Sequence, residues 1–213
     1  MAQIQLNGHE ARILGVLIEK ALTVPDQYPL SLNSATLGAN QKSNRLPVTD
    51  YSEAEVHVAV QGLVMKHLAG HVKTDGSRVD RYKHNAREAL GVDDAHLAVL
   101  AELLMRGPQQ PGELRSRVDR MAPTATLEVL QARLARLTEA NLVKRIGAAP
   151  GERAERYVQL LCPDAHPLDV AAASTARPAA APRPDLEARV LKLENQVTAL
   201  ATELERLIAQ LGS

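Results

Sequence analysis

HLAGHVKTDGSRVDRYKH, residues 67–84, decides the fold. Two extended runs flank Asp75-Gly76, and Asp-Gly between such runs signals a hairpin, because its tight turn needs positive φ. The run before it, YSEAEVHVAVQGLVMK (51–66), reads as the helix that feeds the hairpin. Ser52 and Glu55 form an S-x-x-E box, with Tyr51 and Val56 at the two staple positions. Val56, Val60, Leu63, Val64 and Leu68 then fall on one helical stripe. Working upstream, Asn7 with Glu10 opens a first helix through Ile13, Leu14, Leu17 and Ile18. VPDQYP (24–29) interrupts it, and Ser31 opens a second short helix that runs to about Asn40.

The same order recurs downstream. DDAHLAVLAELLM (93–105) supplies a first helix, with Leu97, Val99 and Leu100 echoing Leu14, Val16 and Leu17. PGELRSRV (111–118) supplies a second, its Pro111 and Leu114 echoing Pro29 and Leu32. TLEVLQARLARLTEANL (126–142) supplies the third, with Leu127, Leu130, Leu134 and Leu137 inward. VKRI, the loop GAAPGERA and ERYVQLL close it, so that NLVKRI answers HLAGHV and ERY answers DRY. A structural unit has been duplicated.

Three short helices closed by a two-stranded ribbon describe a winged-helix form of the helix-turn-helix. The expected fold is therefore mostly α with small β-hairpins, an α+β chain of two tandem winged-helix domains, residues 1–90 and 91–162. Topology alone does not fix what such units bind. Residues 163–184, rich in Pro and Ala, read as a linker. Residues 185–213 carry Leu186, Val190, Leu193, Val197, Leu200, Leu204, Leu207 and Leu211 at alternating spacings of four and three. That is a coiled-coil heptad with Val190, Val197, Leu204 and Leu211 at a and the rest at d, and Arg189 and Glu194 placed to pair between chains. Eight large apolar groups on one helix call for a partner surface, since each is worth roughly 1.5–3 kcal/mol when buried. A homodimer through this helix is expected, the alternative being a stripe folded back on its own chain.

Composition limits the function classes. There is no Phe or Trp and there are four Tyr, so the core is built of Leu, Val, Ile and Ala, and base-stacking platforms for single strands are scarce. Formal net charge is zero, so no global field draws the chain to nucleic acid or membrane, although one basic face remains compatible with neutrality. The N-terminus lacks a basic run followed by an apolar one, and LAVLAELLM falls far short of the roughly 18 residues a bilayer span requires. Cys162 is the sole cysteine, so no internal disulfide forms. A soluble, cytoplasmic protein with no membrane partner is the expectation.

The stretch EARILGVLIEKALTVPDQYPLSLNSATLGANQKSNRLPV (10–48) resembles the YceH-like family of uncharacterised bacterial proteins. Members carry closely similar E-A-R-hydrophobic-G-x-L-I-E-K, P-D-x-Y-P-L-S-L-N and N-Q-K-S-N-R-x-P segments. RVDRYKH, RGPQQPGELRSR and PGERAERYVQLL resemble that family's downstream segments, so the likeness runs from residue 8 to about 162, and the terminal heptads are similar to those of its longer members. The resemblance implies a tandem winged-helix fold and brings no activity, ligand or catalytic residue with it.

No catalytic constellation stands out. The seven His are scattered, and neither a nucleophile elbow nor a phosphate-cradling Gly loop is present. Cys162/His166 and His67/His71 are spaced i, i+4 but offer too few ligands for a metal, and Asp93-Asp94 read as first-turn charges of a helix. No cofactor, metal or enzymatic role is expected. For double-stranded DNA, a winged helix lays its third helix in the major groove. In the first unit that helix offers Glu53, His57, Gln61 and Lys66, a poor reader. The second offers Gln131, Arg133 and Arg136, with Arg115, Arg117 and Arg120 on the preceding helix and Arg153 and Arg156 near the wing. In NQKSNR (40–45), Lys42 and Arg45 suit phosphates and Asn44 suits sugar-phosphate oxygens, while a helix-terminating loop with locally satisfied amides explains the run equally. The readings that remain are a dimeric DNA-binding regulator, a protein-docking module without DNA binding, and, third, a sensor or enzyme with a pocket near DQYPLSLN.

Overall fold

A computed structural model describes residues 4–72, 80–148 and 154–166. The Asp75-Gly76 turn, Arg153, residues 167–184 of the expected linker and the heptads of 185–213 lie outside the described residues. Helix α1 (Gly8–Thr23) starts where its box puts it: the Glu10 N–H donates to Asn7 Oδ1 and the Asn7 N–H to Glu10 Oε2, both at 2.9 Å. Helix α2 (Leu32–Ala39) is capped by Ser31, and α3 (Glu53–Met65) by the Ser52/Glu55 box. Strands β2 (Ala69–Val72) and β3 (Arg81–His84) pair antiparallel in the register Ala69↔His84 and His71↔Tyr82. A two-residue strand β1 (Leu30–Ser31) joins β3 on its other edge, giving the order β1-β3-β2. Two residues are too short to leave a period in the sequence, so this third strand was not legible there.

Helix α4 (Ala86–Leu90) ends at Gly91, held at φ 65. The second copy follows as α5 (Asp94–Arg106), α6 (Pro111–Val118), α7 (Leu127–Glu139) and the antiparallel pair β4 (Val143–Ile146) and β5 (Arg156–Gln159). The chain described is thus mostly helical with small antiparallel sheets, as expected. From the third helix onward the copies match closely. Ser52 and Thr126 cap equivalent helices, and His67 (φ 59) and Asn141 (φ 55) make the same left-handed turn into β2 and β4. The bridge Gln109↔Tyr157 stands where Leu30↔Tyr82 pairs in the first copy.

One expected equivalence needs correction. With Ser31 and Gln110 as the caps of α2 and α6, Pro111 stands opposite Leu32, and Leu114 opposite Ala35. The echo of Pro29 and Leu32 in Pro111 and Leu114 is a coincidence of composition, three residues out of frame.

Both first helices are buried on every side. Glu10 to Glu19 in α1 and Leu97 to Met105 in α5 are buried without a break, the mark of a helix enclosed by protein rather than amphipathic at a surface. They lie against each other. A Cβ on Gly15 would stand 2.7 Å from Met105 Cγ and 3.3 Å from the Ala101 carbonyl, so glycine is what allows this approach. Backbone bonds tie the copies further, from Leu6 N–H to the Leu161 carbonyl at 2.7 Å and from Leu46 N–H to the Met105 carbonyl at 3.0 Å. One hydrophobic core runs through both copies. It also reaches past Cys162: a 3₁₀ turn at Pro163–Ala165 and a buried His166 show that the first residues of the expected linker are fastened to the core.

Overpacking a tight helix contact costs about 1–3 kcal/mol. Gly15→Val should lower unfolding free energy by at least about 2 kcal/mol in urea titration. Gly112→Ala, where nothing lies within 4 Å of the added carbon, should leave it unchanged or raise it.

Candidate functional site

NQKSNR forms the turn from α2 toward α3, and Asn40, Gln41 and Arg45 turn their side chains to internal partners. Asn40 Oδ1 accepts from the Tyr51 N–H and its Nδ2 donates to the Tyr51 carbonyl, both at 2.8 Å, which staples the loop shut. Arg45 is 3% exposed. Its Nη2 meets Glu19 Oε2 at 2.5 Å and Gln41 Oε1 at 2.9 Å, and its Nε and Nη2 donate to the Gly38 carbonyl at 3.0 and 2.8 Å. Its Nη1 donates to the Asn44 carbonyl at 3.0 Å. Arg45 therefore has no face left for a phosphate, and its place among the candidate nucleic-acid contacts is corrected to that of an internal clamp. Lys42 and Asn44 are exposed, Asn44 at φ 56.

Glu19 and its counterpart Glu102 are buried carboxylates on α1 and α5, and Arg120 bridges them at 2.7 Å and 3.2 Å. Burial pushes the Glu19 carboxyl up, but the Arg45 hydrogen bond and charge, with Arg120 and Lys20, outweigh it and hold the pKa below the usual carboxylate range. At Glu102 burial wins, and the carboxyl is raised despite Arg120 and Arg106. The difference is Arg45: Glu102 has only Arg106 in the matching role, 3.6 Å away, and its Oε1 accepts no hydrogen bond.

Four other candidate cations, Arg115, Arg117, Arg133 and Arg136, are also engaged. Arg115 donates to the Thr124 and Ala125 carbonyls at 3.2 and 3.1 Å, and Arg133 to Thr124 Oγ1 and the Pro123 carbonyl at 2.7 and 2.8 Å. The structure thus brings these two together over the turn before α7. Arg117 pairs with Glu113 at 2.5 Å and Gln109 at 2.6 Å, and Arg136 with Glu139 at 3.6 Å. Gln131 is exposed on α7, and Arg156 is buried. Helix α3 contains no Lys or Arg between Glu53 and Met65, and its outer face shows Val58, 72% exposed, and Met65, 77% exposed. Val58 and Ala59 border a shallow, mainly apolar depression of about 310 Å³ with Asn7, His9, Ala54 and Glu55.

A second, smaller cavity of about 60 Å³ lies beside the first turn of α1, walled by Gly8, Arg12, Tyr51 and His166 among others. Arg12 is 3% exposed and makes one hydrogen bond, Nη2 to the Pro47 carbonyl at 2.7 Å. Desolvation pulls its pKa down to about 10. His166 Nε2 donates to the Leu46 carbonyl at 2.8 Å, and its ring lies where a Cβ on Gly107 would be, 2.7 Å from Cγ. Arg12, Glu19 and Glu102 were not singled out from the sequence, and His166 was weighed there only as a metal ligand beside Cys162. The signal for the first three was present as lone charges within otherwise apolar helical runs, ARILGVLIEK and LAVLAELLMR.

The family described as "Protein of unknown function, DUF480" matches residues 6–152. The chain belongs to this family. A UPF0502 protein of Shewanella pealeana is 42% identical over 214 residues, covering 96% of this chain and 99% of the relative. One of Geobacter sulfurreducens is 49% identical over 161 residues, 75% of this chain and 73% of its own. "UPF0502 protein YceH" of Salmonella paratyphi A is 39% identical over 215 residues, 98% of each. The YceH-like resemblance of the EARILGVLIEK and NQKSNR segments is therefore borne out. What those DUF480 segments do in this chain is now visible: Gly15 admits α5, and Glu19 receives Arg45. No helix among the described residues is long and apolar enough to cross a membrane.

Removing one partner of a buried ion pair costs roughly 3–5 kcal/mol, because the other charge is left stranded. Arg45→Met should therefore lower stability by that order in chemical denaturation, whereas Lys42→Met, on the exposed part of the same turn, should leave it unchanged.

His166 is 8% exposed, and burial, aided by Arg12 and opposed by the Leu46 bond, pushes its pKa down to about 4. The unfolded ring binds its proton near pH 6.5, so its contribution is complete above that pH and is lost as pH falls toward 4. His84, lowered chiefly by burial, acts in the same direction. Unfolding free energy should decline between pH 6.5 and 4 in wild type, and His166→Gln should flatten the decline.

Proposed function

We propose that this chain is a protein-docking module, two winged-helix units paired between chains through the C-terminal heptads, rather than a reader of duplex DNA. The observation that supports this reading is the outward face of α3, the helix that a winged-helix reader lays in the major groove. It carries exposed Val58 and Met65, acidic Glu53 and Glu55, and no cation. Apolar side chains with carboxylates beside them repel phosphates and suit an amphipathic partner helix that sets an apolar stripe along α3 with basic residues over Glu53 and Glu55. In the second copy, Arg117 and Arg136 sit beside carboxylates, and Arg115 and Arg133 are spent on the turn before α7. Paired chains would present two such faces, which raises the avidity for a partner carrying more than one of those helices.

The test is fluorescence anisotropy of the full chain with mixed-sequence duplexes at about 50 and 200 mM salt, where phosphate contacts reveal themselves by a steep loss of affinity. No saturable binding is expected at either salt. Binding at the lower salt that collapses at the higher and is weakened by Arg133→Ala with Arg136→Ala would restore the DNA-binding reading. Light scattering on the same preparation should give twice the chain mass, and a chain ending at Pro184 should give one. Equal masses would refute the pairing.

A further inference from the structure

We propose that His57, Gln61 and His71 form a binding site for a divalent transition-metal ion of the nickel, copper and zinc group, which clips α3 to β2. His57 and Gln61 stand one turn apart on α3, and His71 comes from β2. Nε2 of Gln61 lies 3.2 Å from Nε2 of His57 and 3.4 Å from Nε2 of His71. One amide nitrogen donates its two hydrogens to both rings, so each imidazole carries its own hydrogen on Nδ1 and turns an Nε2 lone pair toward the same place. A neutral imidazole offering a ring nitrogen is the commonest metal ligand among side chains.

The spacing is that of ligands around one ion. Atoms held about 2.0–2.1 Å from a tetrahedral ion stand about 3.3–3.4 Å from one another. Turning the Gln61 amide over exchanges its nearly isosteric nitrogen and oxygen, which puts a ligand oxygen at the two distances above. The exposed His57 side chain turns to close the third edge, while the His71 ring packs against Tyr82 with centroids 4.8 Å apart. No third His, Cys, Asp or Glu among the described residues joins the pair, so water completes the coordination. Two imidazoles and an amide, with no carboxylate, do not suit magnesium or calcium, which take sets of hard oxygen ligands, whereas copper(II), nickel(II) and zinc bind imidazole well.

The repeat supplies an internal comparison. Ser52 and Thr126 cap equivalent helices, and His67 and Asn141 make equivalent turns, so His57, Gln61 and His71 correspond to Gln131, Ala135 and Arg145. Tyr82 and Tyr157, which face His71 and Arg145 in the two ladders, are the same residue in both. The second copy thus builds the same helix and ribbon with none of the three ligands and with a cation at one of their places. Their convergence in the first copy is not a requirement of the fold.

The experiment titrates the tag-free full chain with the chlorides of copper(II), nickel(II), zinc and magnesium by calorimetry in a non-chelating buffer, and records the electron paramagnetic resonance of the copper form. Saturable binding is expected, tightest for copper and absent for magnesium, with coupling to two imidazole nitrogens in the spectrum. His57→Ala and His71→Ala should each weaken copper binding by at least about tenfold, since loss of even an outer-shell partner of a metal costs that much. Both side chains are exposed, so these variants leave the fold intact. Gln61→Ala should weaken binding as well, and His67→Asn, which installs the residue of the second copy, should leave it unchanged. Absence of saturable binding overturns the proposal, and so does an affinity that His57→Ala and His71→Ala do not alter, since the ion is then held elsewhere. An unchanged affinity in Gln61→Ala removes the amide from the ligand set and overturns the three-ligand site.

Discussion

Two carboxylates buried on facing helices set the terms for everything around them. Glu19 and Glu102 occupy equivalent places on α1 and α5, and neither helix has a side that reaches water. A carboxylate in such a place costs several kcal/mol unless cations and hydrogen bonds surround it. Arg120 answers both at once, and because it follows α6 while Glu19 belongs to α1, the bridge fixes one copy of the unit against the other. Arg45 completes Glu19, and the rest of its turn exists to aim Arg45: Gln41 and the carbonyls of Gly38 and Asn44 hold the guanidinium, while Asn40 clamps the loop to Tyr51. A run of amides and cations that resembles a nucleic-acid contact is instead the lid on a buried charge.

That arrangement explains why duplication gave one core rather than two. A single copy of the repeat would keep one face of its first helix toward solvent. Here that face carries Gly15, whose missing side chain admits Met105, and the matching surface of α5 is equally apolar. Interiors are packed too densely to tolerate a carbon at that point without movement. Specificity between the copies therefore comes from two sources of different kind, a steric one at Gly15 and an ionic one at Arg120.

The element order was legible because each helix start carries its own chemistry. Asn7/Glu10, Ser31 and Ser52/Glu55 are local signals that cap the helices they announce, and Asp93, read as a first-turn charge, is the cap itself. What lies between elements was less legible, since it depends on partners far away in sequence. Strand β1 exists only because Tyr82 offers an edge, and His166 is buried only because Gly107 leaves room for its ring. The charged residues were misjudged for the same reason. Arg45 looked exposed because all six residues in its run are polar or cationic in a way that suits a surface, whereas its burial is decided by a carboxylate 26 positions earlier. The Pro29 and Pro111 echo failed because proline marks the start of a helix without saying which turn of the repeat it stands in.

The cations thereby divide by whether an internal group claims them. Arg45 and Arg120 are claimed by carboxylates, and Arg115 and Arg133 by backbone carbonyls, so these four are not free to meet a polyanion. Arg12 and Arg156 are the buried arginines with nitrogens that no described group answers. Exposed lysines remain, Lys42 on the turn after α2, Lys83 on β3 and Lys144 on β4, so what a polyanion would lack is cations on the outer face of α3 rather than cations altogether. Neutrality overall does not decide the matter, because the summed field and the charge on one helix face are separate properties.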